Sequence, residues 1–205
     1  MSLVTVGTLR EYLPEIANNT EIDTELGALL DRVELGIASF LGFPALDSAL
    51  SATLVQNTYT LYVDEPLDSD PYSLQLPIAP VTAVASVYAD SGRQYTAETL
   101  IDATTYELDK TLGRINLLPA VVTRNFARGK KANKATVTAG YTAGTLPGDL
   151  EHAICVYASQ LHRNKQTQGK NTINTRAGSV QLSAKNMPAE VKEFLYPYRA
   201  PGAIL

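Results

Sequence analysis

The 205-residue sequence has very little of the chemistry that enzymes and metalloproteins usually need. It contains one cysteine, two histidines and no tryptophan. A single cysteine, Cys155, excludes a disulfide framework within the chain and suits a reducing compartment. His152 and His162 lie ten residues apart, which is not a metal-binding spacing. We expect Cys155 to be a half-buried thiol beside a surface histidine, His152. We therefore predict no cofactor, no metal and no catalytic role.

Long apolar runs and nucleotide-binding motifs are missing as well. No run approaches the ~20 apolar residues that span a bilayer, so we expect no membrane contact. The N-terminal residues lack a basic segment followed by an apolar one, so we expect no signal peptide. No serine has the G-x-S-x-G setting of a nucleophile, and Gly169-Lys170 lacks the partners of a phosphate-binding loop. With 45% hydrophobic and 19% charged residues, the chain has the composition of a globular protein.

The net charge of −4 hides a strong asymmetry along the chain. Residues 1–48 carry two basic and eight acidic residues, and residues 49–120 carry three and nine. Residues 121–185 reverse the balance with ten basic and two acidic residues, whereas residues 186–205 are neutral. Such a separation is typical of proteins whose faces meet different partners, and a solvated basic surface explains it equally well.

Helices are predicted in the N-terminal part of the chain and again after residue 146. Thr5 can cap a short helix over residues 6–13. Apolar residues repeat at helical spacing over residues 24–41, with Asp23 as the predicted cap. After a glycine-rich hinge, Pro147 suits the first position of a third helix. The apolar face of that helix consists of Leu150, Ile154, Tyr157 and Leu161.

Between the helices the pattern changes to that of strands. Alternating residues predict a strand over residues 53–63, and residues 81–89 form another. Residues 74–76 are a short strand, and residues 106–108 and 114–118 form a hairpin. Short strands separated by turns predict an antiparallel sheet or a small barrel.

The predicted fold class is therefore α+β, with a β-rich region inserted into a small helical bundle. Residues 1–48 and 147–168 form the helical frame, and residues 53–146 form the antiparallel sheet or barrel-like insert. Residues 169–205 contain a polar, mobile linker, a short helix near residues 189–195 and an extended C-terminal tail with two prolines.

Two segments are candidate interaction sites. The stretch TRNFARGKKAN at residues 123–133 predicts an exposed basic loop, whose charges can meet phosphates or an acidic protein face. Its candidate residues are Arg124, Arg128, Lys130, Lys131 and Lys134. The second segment is the tyrosine-containing end of the chain, which is suited to docking on a partner. Its candidate residues are Phe194, Leu195, Tyr196, Pro197, Tyr198 and Arg199.

The order of these parts resembles that of the head–tail connector (adaptor) proteins of tailed bacteriophages and related gene-transfer particles. The resemblance covers most of the chain and rests on the two N-terminal helices followed by four stretches. These are LQLPIAPVTAVASVYADSG at residues 74–92, TYELDKTLGRINL at 105–117, VTAGYTAGTLPGDLEHAI at 137–154 and MPAEVKEFLYPYR at 187–199. The basic loop has no counterpart in this family pattern.

The resemblance implies a structural role in a virion. Connectors assemble as a ring, typically dodecameric, beneath the portal protein, where the ring extends the channel for double-stranded DNA and presents a docking surface to the next connector or tail protein. Family members often grip the portal with the C-terminal segment, here residues 194–199. The resemblance also implies a location at the head–tail junction, with assembly in the host cytoplasm. The alternatives are a nucleic-acid-binding protein that uses the basic loop, a tail-completion or head-closure protein, and a small enzyme with an unfamiliar site.

Overall fold

The chain divides into two compact units, each formed by two stretches of sequence. The helical unit comprises Met1–Gly36 and Leu146–Pro197, and the strand unit comprises Ile37–Thr145 and Tyr198–Leu205. The computed structural model describes residues 2–16, 18–46, 52–64, 66, 70–118, 124–167, 172–175, 178–181 and 187–199. In this described part no helix is both long enough and apolar enough to cross a membrane.

The first two helices confirm the helical period of the N-terminal sequence. Helix α1 (Val6–Glu11) begins after Thr5, whose side-chain oxygen accepts the N–H of Thr8 and so caps the helix. Helix α2 (Asp23–Leu41) starts one residue earlier than predicted, so Asp23 is its first residue rather than its cap. Its apolar stripe is buried, with relative exposures of at most 1% for Leu26, Leu30, Val33, Ile37 and Leu41.

The other two helices pack on each other within the helical unit. Helix α3 (Gly148–Arg163) is preceded by Pro147, which has an extended backbone and is the cap residue rather than the predicted first helical residue. Helix α4 (Ala189–Leu195) packs against α3 and buries Val191 and Leu195. The helical unit therefore contains its own apolar core.

A β-hairpin lies within the stretch that was predicted to be a mobile linker. Strand β7 (Thr172–Thr175) pairs antiparallel with β8 (Gly178–Gln181). Our prediction missed both strands because the segment is polar and carries no apolar repeat. The prediction of a linker was wrong for these eight residues, and the rest of residues 168–186 lies outside the described part.

The larger sheet of the strand unit has the order β1-β6-β3 and is antiparallel throughout. Strand β1 (Asn57–Val63) starts four residues later than predicted, and β3 (Val81–Ala89) has the predicted bounds. Strand β6 (Asn133–Ala139) lies between them. Alternate residues face the core, so one face of the sheet buries Tyr59, Leu61, Val87, Ala135 and Val137.

The smaller sheet has the order β2-β5-β4 and includes the predicted hairpin. It consists of β2 (Ser73–Gln75), β4 (Tyr106–Asp109) and β5 (Arg114–Leu117). The α+β class is confirmed, and the described strands form open sheets rather than a closed barrel. Gly140 follows β6 with φ +103°, and a Cβ there would lie 2.8 Å from the Leu54 carbonyl oxygen, so this hinge position requires glycine.

Candidate functional site

The described part of the basic loop, residues 124–133, is held by a buried asparagine at its end. Asn133, the first residue of β6, is fully buried. Its Nδ2 donates to the carbonyl oxygens of Asp64 and Ala127 at 2.9 Å each, and its Oδ1 accepts the N–H of Ala127 at 2.9 Å. One side chain thus satisfies three backbone groups and closes the loop into a defined shape.

The one aromatic residue of the basic loop belongs to the core. Phe126 is 3% exposed, and its N–H donates to the carbonyl of Pro71 at 3.0 Å. The ring therefore cannot stack on a base, which weakens the nucleic-acid-binding alternative. The Lys131 N–H donates to an oxygen of the Asp64 carboxylate at 2.8 Å, and the Lys131 carbonyl accepts the Tyr95 hydroxyl.

The five predicted basic residues do not form one group. Arg124, Arg128, Lys130 and Lys131 are exposed on the loop, where the Arg124 guanidinium donates to the carbonyl of Glu98. Lys134 is half-buried on β6, so its assignment to the loop was wrong. The structure therefore separates a set of exposed charges from a lysine packed within the sheet.

Lys134 lies in a cluster of three tyrosines that sequence reasoning missed. In the sheet register Lys134 stands opposite Tyr62 on one side and Tyr88 on the other. Its Nζ lies 5.5 Å from the ring centroid of Tyr88 and 5.4 Å from that of Tyr95. The Tyr95 ring is 5.7 Å from that of Tyr62 and 6.4 Å from that of Tyr88. Residues that are distant in sequence meet here, and predicting the contact requires both the strand register and the position of Tyr95 after β3.

A tight turn presents Tyr95 to this cluster. The Asp90 carboxylate accepts the backbone N–H groups of Gly92, Gln94 and Tyr95 at 2.7–2.8 Å. These bonds, with that from Tyr95 first, hold the pKa of Asp90 below its ordinary value. Arg93 and Tyr95 have φ values of +59° and +50°, which the hydrogen bonds of Asp90 sustain.

The C-terminal candidate residues in the helical unit divide into buried and exposed members. Leu195 is fully buried, whereas Phe194 and Tyr196 are 36% and 52% exposed. The Phe194 ring meets His152 edge-on at 5.2 Å, and the His152 Nδ1 lies 2.9 Å from the Tyr12 hydroxyl. Leu195 therefore anchors α4, whereas Phe194 and Tyr196 are partly exposed at the surface.

The predicted extended tail begins with a helical turn instead. Tyr196–Tyr198 form a 3₁₀ turn that continues α4. Within the strand unit, the Arg199 guanidinium lies 5.4 Å from the ring centroid of Phe40. Burial raises the pKa of Tyr141 to about 12, and the nearby Tyr198 adds to this increase. The prediction of an extended chain is wrong for these residues, and residues 200–205 lie outside the described part.

Part of the charge asymmetry is neutralised inside the helical unit. Arg163 on α3 binds Glu15 at 2.9 Å and donates to the Tyr12 carbonyl at 2.8 Å. Lys165 binds Glu25 at 2.5 Å. Hydrogen bonds from these two cations lower the pKa values of Glu15 and Glu25. Arg163 and Lys165 thus pair with acidic residues of the N-terminal part of the chain, whereas no salt bridge of the described residues involves the basic loop.

The lone cysteine has none of the properties of a nucleophile. Cys155 is fully buried on α3, and burial raises its pKa to about 12. The thiol is therefore neutral at physiological pH. In the described part of the chain, no group of three or more His, Cys, Asp or Glu side chains is arranged to hold a metal ion.

The fold has counterparts among solved structures of a gene transfer agent (GTA). No protein-family model matches the sequence, and no curated protein does. A chain from "Neck of native GTA particle computed with C12 symmetry" is 21% identical, with a TM-score of 0.53. A chain from "Neck of empty GTA particle computed with C6 symmetry" is 19% identical, with a TM-score of 0.52. A chain from "Virion of native gene transfer agent (GTA) particle" is 17% identical, with a TM-score of 0.52.

Each of these alignments covers 98% of this chain and 94% of the other chain. At such identities the likeness concerns the fold. It includes both units of this chain, because a match to one unit alone would leave a large part of the sequence unaligned. The sequence-based resemblance to head–tail connectors is confirmed at this level: the chain has the fold of a protein from the neck of a gene transfer agent particle.

Proposed function

We propose that this chain is a structural virion protein that acts as a head–tail connector. Copies of it form a ring beneath the portal protein, extend the channel for double-stranded DNA and offer a docking surface to the next connector or to the tail. The observation that carries this proposal is the near-complete alignment, 98% of one chain and 94% of the other, with a chain from a particle neck whose structure was computed with C12 symmetry. The same neighbour supports a structural rather than a catalytic role.

Assembly with a portal tests this proposal directly. The full chain is mixed with a portal ring, and the mixture is examined by native mass spectrometry and by electron microscopy. We expect weak self-association of the chain alone and a closed ring of copies on the portal, as in other cyclic assemblies. A chain that stays monomeric with portal rings from several tailed phages, but binds DNA in a salt-sensitive way, would replace this proposal by the nucleic-acid-binding alternative.

The portal contact is proposed to lie at the C-terminal segment, through its exposed aromatic residues. Phe194 and Tyr196 present large rings at the surface, a feature typical of residues that dominate interface energies. The change Tyr196→Ala should leave the thermal midpoint nearly unchanged and weaken portal binding by at least tenfold, about 1.4 kcal/mol. Leu112→Ala, at a residue of similar exposure in the turn before β5, is the matched control. If both variants bind the portal equally well, the portal contact lies elsewhere on the chain.

The basic loop is proposed to make contacts that do not depend on DNA sequence, either to passing phosphates or to an acidic face of a neighbour. Arg128 and Lys130 are exposed, and no salt bridge of the described residues involves them. The double change Arg128→Glu/Lys130→Glu should reduce the salt dependence of duplex binding, by a slope of about 0.9 for each phosphate that is no longer neutralised. Arg93→Glu/Lys110→Glu, which changes the charge equally at exposed positions, is the control. A tenfold preference for one duplex sequence would instead favour a sequence-reading protein.

A further inference from the structure

One edge of the larger sheet is open and regular. Strand β1 pairs with β6 in an unbroken register of seven residues, and it pairs with no other strand of the described part. The opposite edge, β3, has two register shifts. That edge is also partly covered, because the Val81 N–H donates to the carbonyl of Lys110 and Tyr88 forms a bridge with Leu100. The edge of β1 is therefore the one on which another strand can pair.

The alternation of backbone groups identifies the free donors and acceptors. Gly140, directly after β6, donates its N–H to Pro80 on the β3 side. Because successive amides of a strand point to opposite edges, Ala139 and every second residue before it face β1. Their partners in β1 are Asn57, Tyr59, Leu61 and Val63. The backbone groups that point to the open edge therefore belong to Thr58, Thr60 and Tyr62.

This edge lacks the devices that normally protect an edge strand. Its sequence, NTYTLYV, contains no charged residue, no proline and no glycine, and its pairing with β6 contains no bulge. Threonine, tyrosine, leucine and valine fit a pleated sheet well. Natural sheets usually block such an edge with charges, proline or a bulge, since an unprotected edge recruits other strands. An open edge of this kind is suited to pairing with a specific strand.

The same chain contains a hairpin that lacks a sheet to join. Strands β7 and β8 pair with each other and with no other strand of the described part. An isolated two-stranded hairpin is only marginally stable in water, and independent stability needs three or more strands with an apolar face or packing against a helix. Each hairpin strand has four residues, so one of them fits within the seven residues of β1. In a ring of identical copies, an element of one copy meets a different element of its neighbour.

We propose that the β7–β8 hairpin of one copy pairs with the edge of β1 in a second copy. The two hairpin strands extend the three-stranded sheet to five strands across the interface between copies. This inference rests on the proposed ring, and it names the surfaces through which neighbouring subunits are joined. Backbone hydrogen bonds provide the contact, so the interface needs no apolar patch on either element.

Cysteine cross-linking between two differently marked chains tests the pairing. Cys155 is fully buried, so the unmodified chain gives little background. One chain carries Thr60→Cys, and the other carries Asn174→Cys or Ser179→Cys, which mark the two strands of the hairpin. The chains are mixed, assembled on the portal and oxidised. We expect the Thr60→Cys chain to form a disulfide-linked dimer with at least one of the two hairpin variants, because directly paired Cβ atoms lie about 5 Å apart. Ala85→Cys, on the exposed side of β3, replaces Thr60→Cys in the control and should give no dimer.

A backbone variant provides a second readout. Thr60→Pro removes an N–H that points to the open edge and leaves the bonds between β1 and β6 in place. We expect this variant to keep its circular dichroism spectrum and to lose ring formation on the portal. If it does not fold, the cross-linking result decides alone.

The outcomes separate this inference from the proposed function. Rings without the cross-link would overturn the hairpin pairing and leave the connector role intact. Cross-linked dimers without rings on a portal would support the pairing and overturn the connector role. A third result would show that the hairpin pairs with β1 of its own chain rather than with that of a second copy. This result is a disulfide within single dilute chains that carry both Thr60→Cys and Asn174→Cys.

Discussion

Removal of the Glu34 carboxylate should release the N-terminal segment from helix α2. Glu34 is 5% exposed, and its two oxygens accept the N–H of Leu3 at 2.9 and 3.1 Å. One of them also accepts the N–H of Val4 at 3.1 Å and the hydroxyl of Ser2. Leu3 and Val4 are 8% and 3% exposed, so water does not reach these amides in the folded protein.

The size of the effect follows from these hydrogen bonds. Glu34→Ala leaves two buried N–H groups without an acceptor, and each such group costs about 1–3 kcal/mol. We therefore expect the free energy of unfolding to fall by about 3 kcal/mol, which for a chain of this length lowers the thermal midpoint by roughly 6–12 °C. Glu34→Gln keeps one acceptor oxygen and should cost about half as much.

Urea denaturation and amide hydrogen exchange measure this effect at two levels. Denaturation gives the change in the free energy of unfolding, and Glu21→Ala, at an exposed position before α2, is the control and should stay within about 0.5 kcal/mol of the original. Exchange at Leu3 and Val4 should be slow in the original chain and fast in Glu34→Ala. The reasoning is refuted if both amides already exchange rapidly in the original chain, or if Glu34→Ala costs less than about 1 kcal/mol.

Three further predictions follow from other buried or paired groups. Asn133→Ala should destabilise the strand unit by about 2–4 kcal/mol, since three backbone groups are left without their hydrogen-bond partner, and should speed proteolysis within the basic loop. Cys155, with its pKa raised to about 12, should resist a thiol reagent at pH 8 until the protein unfolds in denaturant. Glu15 has a lowered pKa, so its contribution to stability should be complete above its ordinary pKa of 4.5 and disappear as the pH falls through the folded-state value. Glu15→Gln should make the free energy of unfolding slightly less dependent on pH in that acidic range. The effect is small because the pair with Arg163 is exposed.

The elements that were predicted well are those whose signals are local. The buried stripe of α2 repeats every three to four residues, and the bounds of β3 are marked by proline before it and an aspartate turn after it. The Thr5 cap needs only the N–H of Thr8, three residues away. Such features depend on neighbours in sequence, so a single sequence is sufficient to predict them.

The interactions that were missed join distant parts of the chain. Leu3 and Glu34 are 31 residues apart, and Asp64 and Asn133 are 69 residues apart. The tyrosine cluster around Lys134 requires the register of three strands. A glutamate on a helix and an asparagine at a loop end are usually solvated, and their sequence surroundings give no sign of burial. Only the tertiary fold shows that these two side chains satisfy backbone groups.

The C-terminal segment shows how tertiary packing overrides a local signal. Two prolines predicted an extended tail, yet Pro197 lies within a 3₁₀ turn, whose φ values match those that a proline ring imposes. The turn follows directly from α4, which the burial of Leu195 fixes in the helical unit. Proline therefore does not favour an extended chain here, because helical geometry at this position needs no donor from its nitrogen. The proposed portal contact is therefore formed by the exposed rings of Phe194 and Tyr196, which make a smaller and more rigid surface than a free tail. A rigid surface loses less conformational entropy on binding.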